Sequence, residues 1–312
     1  MKSIIFSLIK ANKIPISKII LDELEPFQVQ LFLKRLDHIH PAVSGNKYYK
    51  LIYNLREAKK LGYKKVLTFG GAFSNHIFAT AAAAKDFGLQ SIGVIRGEPT
   101  LPLNPTLTFA REKGMELTYL NRKQYRIKDS PEILKKLEDQ FPSFYLIPEG
   151  GTNALAIQGA GEILSPSDFE MDVIALSVGT GGTIAGILSK AEQNQKVLGF
   201  PALKGNFVQD EVKHLLTQNS IHPTCEWEII GDHHFGGYGK FQPELIDFIK
   251  YFKNKTGIPL DPIYTGKLMF GILEEIKKGR FQKGNKIMAI HTGGLQGIAG
   301  FNQRFGENLE SQ

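Results

Sequence analysis

Cysteine is almost absent from this 312-residue chain: Cys225, in Pro-Thr-Cys-Glu-Trp, stands alone. One thiol excludes an internal disulfide framework and any zinc site built from cysteines. With no partner motif beside it, Cys225 reads as a bystander rather than a nucleophile. No stretch approaches the roughly 18 apolar residues of a membrane span. The opening Met-Lys-Ser-Ile-Ile-Phe-Ser-Leu-Ile-Lys has the outline of a signal peptide. Lys10 and Lys13 interrupt its apolar stretch, however, and no small-residue cleavage site follows. The expected location is the cytoplasm, with no membrane partner. The formal net charge is +7, yet the basic residues are scattered, so nucleic acid is not an expected partner either. A small anionic ligand suits a mildly basic protein. Linkers rich in Pro or Ser, low-complexity tracts and repeats are also missing.

What is present is alternation. Lys65-Val66-Leu67-Thr68-Phe69 leads through Gly70-Gly71 into an alanine-rich helix over 74–87. Residues 90–95 read as a strand, 106–113 as a helix and 116–120 as a further strand. Residues 173–178 form an unbroken apolar strand, followed by a helix over 184–192. The segments 31–34 and 286–290 complete the strand set. Unbroken apolar strands between helices mean parallel sheet covered on both faces, an α/β fold of two open lobes. Ligands in such folds sit at the carboxyl ends of the strands, here in the cleft between the lobes.

Several segments in that position carry chemistry. At Gly179-Thr180-Gly181-Gly182-Thr183 a strand stops, glycines turn the backbone and a helix begins. Freed amides and the helix start bind phosphate, with Thr180 and Thr183 adding hydroxyls. The loop lacks the Gly-Lys-Ser/Thr ending of a nucleotide cradle and the third glycine of a dinucleotide fingerprint, which leaves a single phosphate. Lys47 and Lys50 open an amphipathic helix, where they oppose the helix dipole unless an anion or an imine offsets them. A desolvated lysine near another cation has the lowered pKa that imine chemistry needs. Ser74 is placed to cap the alanine-rich helix, with the amides of Asn75 and His76 offered to a substrate carboxylate. Later, Asp261-Pro262-Ile263-Tyr264-Thr265-Gly266-Lys267 opens a helix and His291-Thr292-Gly293-Gly294 closes a strand. His233 and His234, in a glycine-rich aromatic loop that reads as solvated, have no third ligand spaced with them, so no metal is expected.

Six motifs occur in one order from about residue 31 to 297: Gly45-Asn46-Lys47-x-x-Lys50-Leu51, Ser74-Asn75-His76, Pro148-Glu149-Gly150-Gly151, the 179–183 loop, Asp261-Pro262-x-Tyr264-x-Gly266-Lys267 and His291-Thr292-Gly293-Gly294. Together they resemble the 1-aminocyclopropane-1-carboxylate (ACC) deaminase/D-cysteine desulfhydrase family of pyridoxal phosphate (PLP) enzymes, of the tryptophan-synthase-β type known as fold type II. The resemblance implies that Lys47 holds PLP as a Schiff base and that Lys50 and residues 179–183 hold its phosphate. It places Asn75 beside the cofactor ring, and Ser74 and the His76 amide at the substrate carboxylate. Tyr238 and Tyr264 match two active-site tyrosines. It further implies a homodimer, with a large PLP-binding domain over 1–49 plus 154–312 and a small one over 50–153 inserted in it.

Departures bear on the substrate. Ser44 stands where the family commonly has glycine. Tyr49 stands before Lys50 where the family commonly has arginine, and Phe73 before Ser74 where it has glutamine; both are expected to alter the pocket wall. The deaminases carry glutamate and leucine where this chain has Thr265 and Thr292, and glutamine where it has His76. All three choices resemble the desulfhydrase branch. A carboxylate at the pyridine nitrogen makes a strong electron sink, whereas a threonine hydroxyl bonds a neutral nitrogen and makes a weaker one. The weaker sink suffices for a good leaving group such as thiolate. The expected reaction is therefore α,β-elimination on D-cysteine or a related small amino acid, giving pyruvate, sulfide and ammonia. The alternatives are ACC deamination, a family member that keeps PLP without turnover, and a phosphate-ligand-binding α/β protein without catalysis.

Overall fold

The computed structural model describes residues 14–205 and 207–311; the signal-peptide-like opening lies outside them. The chain begins with an antiparallel pair, β1 (Ile16–Ile19) and β2 (Gln30–Lys34). Helix α1 (Asn46–Lys60) follows, then β3 (Lys65–Gly71), α2 (Asn75–Asp86), β4 (Gln90–Arg96), α3 (Pro105–Glu112) and β5 (Met115–Leu120). Next come α4 (Arg122–Arg126), α5 (Pro131–Gln140), β6 (Phe144–Ile147) and α6 (Ala154–Gly161). The second half runs β7 (Val173–Val178), α7 (Gly182–Leu188), β8 (Lys196–Pro201), α8 (Phe207–Gln218) and β9 (Glu226–Ile229). It ends with α9 (Pro243–Thr256), α10 (Thr265–Lys277), β10 (Lys286–Ile290) and α11 (Gly297–Phe305).

Two sheets result. A six-stranded sheet has the order β1-β2-β10-β7-β8-β9, parallel except for β1. A four-stranded sheet, β5-β4-β3-β6, is parallel throughout and is formed entirely between β2 and β7 in the chain. Residue composition explains the placement. Every residue of β7 is buried, as a central strand covered on both faces requires. In α2, Ala79 and Ala81 to Ala84 are all buried; their small side chains let neighbouring elements approach closely, and Phe78 stacks on Phe109 of α3 at 3.7 Å.

Helix α1 joins the lobes, and the expected boundary between residues 49 and 50 falls inside it. Its apolar face (Leu51, Ile52, Leu55 and Ala58) belongs to the core cluster that also holds Ile157 and Ala160 of α6. Gly159 permits this contact, since a β-carbon there would lie 2.1 Å from the Tyr49 carbonyl. Two expectations are corrected. The helix after β7 begins at Gly182 and ends at Leu188, rather than spanning 184–192. Gly181, at φ 77°, starts it, and the Ser189 hydroxyl bonds back to the Gly186 carbonyl at 2.7 Å where it stops. Tyr49 forms no pocket wall: it is fully buried, edge-on to Tyr48, with Glu162 and Asp168 as its charged neighbours. No described helix is long and apolar enough to cross a membrane.

Candidate active site

The carboxyl ends of β3, β7 and β10 carry Gly70-Gly71, Gly179-Thr180-Gly181 and His291-Thr292 toward the same cleft. Close approaches between backbone and side chain tie them together. Gly45, just before α1, has φ 70° and ψ −155°, and a β-carbon on it would lie 1.9 Å from the Thr292 carbonyl. The Asn46 amide donates to that same carbonyl at 3.2 Å. Lys47 is thereby fixed beside the end of β10. Alanine at Gly45 is expected to cost about 1–3 kcal/mol from backbone strain alone, with the clash added. A thermal melt and a PLP titration would check this; unchanged affinity for PLP would show that the Gly45–Thr292 junction does not place Lys47.

The two lysines are the electrostatic centre. Lys47 Nζ donates to Asn46 Oδ1 at 3.1 Å, and Asn46 Nδ2 donates to Thr183 Oγ1 at 2.8 Å. Lys50 Nζ donates to Thr152 Oγ1 at 2.9 Å, and that hydroxyl shares a hydrogen bond with Thr180 at 2.6 Å. Enclosure of its ammonium pushes Lys47 down to about 8. Burial, reinforced by Lys47, holds Lys50 well below its usual value. Among the described residues neither lysine has a carboxylate partner. Lys50 is fully buried and Lys47 partly so; enclosed cations without a counter-ion are costly, so the site is built for an anion. Glycine makes the room: a β-carbon on Gly182 would lie 3.1 Å from Lys50 Nζ, and one on Gly150 2.9 Å from Thr180 Oγ1.

The Ser74 region meets both lobes. Ser74 Oγ caps α2, accepting from the His76 and Ile77 amides at 3.2 and 3.3 Å. The His76 amide expected at a substrate carboxylate is therefore directed at Ser74. The Asn75 side chain faces the turn after β10, where a β-carbon on Gly294 would lie 2.9 Å from its Nδ2. The His76 imidazole is buried, with Nε2 2.7 Å from Thr68 Oγ1, whose own proton goes to the Ile147 carbonyl at 2.8 Å. Burial and the two lysines hold this imidazole well below its usual value, so it is neutral. Its Nδ1 is a buried acceptor with no partner among the described residues.

Tyr264 brings the late motif to the phosphate loop, with a β-carbon on Gly179 lying 3.3 Å from its hydroxyl. Tyr238 crosses it edge-on, with the ring centroids 6.1 Å apart. Burial raises the Tyr264 phenol strongly, and the Tyr238 phenol, 47% exposed, is also raised, so both keep their protons. Thr265 differs from expectation. Its hydroxyl donates to Asp261 Oδ2 at 2.6 Å, so its proton is not free for a ring nitrogen. Asp261 also accepts from the amides of Ile263, Tyr264 and Thr265 and so orders the turn that leads into α10. Thr292, near the end of β10, is 9% exposed. His233 pairs with Glu275 at 3.0 Å, whereas His234 Nδ1 accepts the Gly236 amide at 2.9 Å; the two rings serve separate partners.

Sequence reasoning missed Asn46 and Thr152, which hold the two lysines, and the turn-ordering role of Asp261. An Asx turn was legible at Asp261, whose carboxylate accepts the amides two and three residues on. Nothing local marked Thr152, whose partner lies 102 residues away.

The paired lysines, the glycine cradle and the hydroxyl donors fit a phosphate-bearing aldehyde, and the comparisons agree. A profile of the family described as "Pyridoxal-phosphate dependent enzyme" matches residues 16–293. This chain belongs to that family. A Pyrococcus horikoshii protein provisionally named 1-aminocyclopropane-1-carboxylate deaminase is 32% identical, covering 86% of this chain and 85% of its own. An Arabidopsis thaliana mitochondrial protein named bifunctional D-cysteine desulfhydrase/1-aminocyclopropane-1-carboxylate deaminase is also 32% identical, over 88% of this chain and 74% of its own. A crystal structure of an ACC deaminase homologue superposes with a TM-score of 0.80 at 29% identity, covering 93% and 92% of the two chains. A hydrogen sulfide-producing enzyme from Fusobacterium nucleatum shares the fold, with a TM-score of 0.65 at 17% identity over 90% and 95%. The protein is a PLP-dependent lyase of fold type II, in the ACC deaminase/D-cysteine desulfhydrase family.

Proposed function

We propose that the protein eliminates thiolate from D-cysteine, converting D-cysteine and water to pyruvate, hydrogen sulfide and ammonia. Bound PLP supplies the electron sink that makes the substrate α-proton acidic. Lys47, pushed down to about 8, is a base of suitable strength to take that proton on Nζ. Tyr264 and Tyr238, both held protonated, are placed to give a proton to the departing sulfur. Lys50, Thr152, Thr180 and Thr183 hold the phosphate, and Ser74 and Asn75 face the substrate. Among these roles, the Lys47 and Lys50 assignments rest on two enclosed ammonium groups without a carboxylate partner among the described residues.

One observation carries the choice of substrate. The carboxylate nearest the start of α10, Asp261, is committed to three amides and the Thr265 hydroxyl. Thr265 and Thr292 stand where the deaminases carry glutamate and leucine, and Asp261, bonded in this way, offers no free carboxylate in their place. That favours a weaker electron sink, sufficient for thiolate. The second reading, ACC deamination, is favoured by the names of the relatives. Pyruvate release from D-cysteine, L-cysteine and ACC separates the two. We expect kcat/KM for D-cysteine to exceed that for ACC by about 100-fold, roughly 2.7 kcal/mol of transition-state discrimination. Equal or faster release from ACC, without sulfide, would sink the D-cysteine assignment.

A further inference from the structure

We propose that Lys267 is a positioning residue that fixes Tyr238 in the cleft by holding the backbone of the loop that carries it. The inference rests on the role of Tyr238 proposed above.

That loop has little to hold itself. Phe235, Gly236, Gly237 and Gly239 have φ of 51°, 88°, 111° and 66°, so four of five consecutive residues are left-handed. Glycine-rich backbone of this kind loses much freedom when ordered, and external contacts must offset that loss. The contacts come from one helix. Residues 267, 271 and 275 recur at helical spacing and share a face of α10, with Tyr264 immediately before its first turn. Tyr264 meets the Tyr238 ring. At Gly271 a β-carbon would lie 3.1 Å from the His233 ring, and Glu275 accepts from or faces His233 Nε2 at 3.0 Å.

Lys267 lies between them and is only 2% exposed. Its Nζ donates to the carbonyls of His234 and Gly237, both at 2.8 Å. These carbonyls flank Phe235 and Gly236 within the left-handed run, and Gly237 is adjacent to Tyr238. The Gly237 amide also donates to the His234 carbonyl at 3.0 Å, closing the turn that the ammonium grips. Among the described residues Lys267 forms no ion pair within 4.0 Å, and its side-chain hydrogen bonds go to this loop alone. A general structural lysine on a helix would pair with a carboxylate or reach solvent. A buried ammonium committed to two backbone carbonyls beside a reactive phenol instead sets that phenol's position. Charge-assisted bonds of this kind are stronger than neutral ones.

The test uses holoenzyme of Lys267→Met, Lys267→Gln, Tyr238→Phe and the double variant Lys267→Met/Tyr238→Phe. Three readouts are taken: the visible band of bound PLP, kcat and KM for pyruvate release from D-cysteine, and hydrogen exchange of the amides over 235–240. Lys267→Met is expected to keep the band and to lower kcat by about 100-fold with KM little changed, as misplacement of a catalytic group by about 1 Å does. Its loop amides should exchange at least about tenfold faster. Lys267→Gln, which keeps a donor, should recover part of both effects. In the Tyr238→Phe background, Lys267→Met should have less than about a twofold further effect on kcat, since coupled residues are not additive. Unchanged loop exchange in Lys267→Met, or the same fold-loss with and without the Tyr238 hydroxyl, would overturn the proposal. If the wild type releases no pyruvate from D-cysteine, the substrate assignment fails while hydrogen exchange still decides whether Lys267 holds the loop.

Discussion

Lys47→Ala is expected to abolish the visible absorption of bound PLP and to lower kcat by about a thousandfold, within the range for removal of a general base. The structural reason is the state of this amine. Lys47 is pushed down to about 8 by enclosure of its ammonium. At pH 7.5 roughly a quarter of such amines are neutral, against about 0.1% for an ordinary lysine. Only the neutral amine is a nucleophile toward an aldehyde. The rate at which apoprotein acquires the visible band on addition of PLP should therefore climb with pH up to about 8 and then level off. Lys47→Arg keeps the charge but lacks a nucleophile, so it should retain affinity for inorganic phosphate and show no band. A band that persists in Lys47→Ala would move the cofactor link to another amine, with Lys50 the first to test.

Lys34→Met is expected to destabilise the protein by about 3–5 kcal/mol, because it leaves a buried carboxylate without its counter-ion. Lys34 ends β2, and its ammonium meets Asp168; both side chains are fully buried. Burial pulls the Lys34 pKa down while Asp168 pulls it up, with the net direction downward. Asp168 also accepts from the Ser165 amide at 2.7 Å and its hydroxyl at 2.9 Å. The pair lies beneath the site, since the Lys34 carbonyl accepts the His291 amide at 2.9 Å, one residue before Thr292. Denaturant unfolding of the apoprotein would measure the loss. The double variant Lys34→Met/Asp168→Leu should recover most of it, because it removes both charges. A loss below about 1 kcal/mol in the single variant would show that solvent or another cation reaches Asp168.

Much of the site was legible because its elements are signalled locally. Ser74 precedes an alanine-rich run and caps α2 as a short hydroxyl side chain should. The apolar stretch now seen as β7 ends in glycine at the point where the chain turns into α7. Other readings failed because they needed the partner. Tyr49 follows Lys47 by two residues, yet α1 turns it away from the cleft and into the core. Thr265 is an attractive hydroxyl in sequence, but Asp261 lies four residues earlier and takes its proton. The solvated look of the loop around His233 concealed the face of α10 that holds it.

The sequence alone determined the two-lobed parallel architecture, since strand and helix periodicities and glycine turns are properties of the local backbone. Its six ordered motifs also singled out Lys47. Only the tertiary structure decided the distant partners: Thr152 for Lys50 and the Tyr238 loop for Lys267. Hydrogen bonds depend on ångström-scale placement of groups. Where the groups lie on different elements, that placement is set by how the lobes and helices pack, which no periodicity in the sequence encodes.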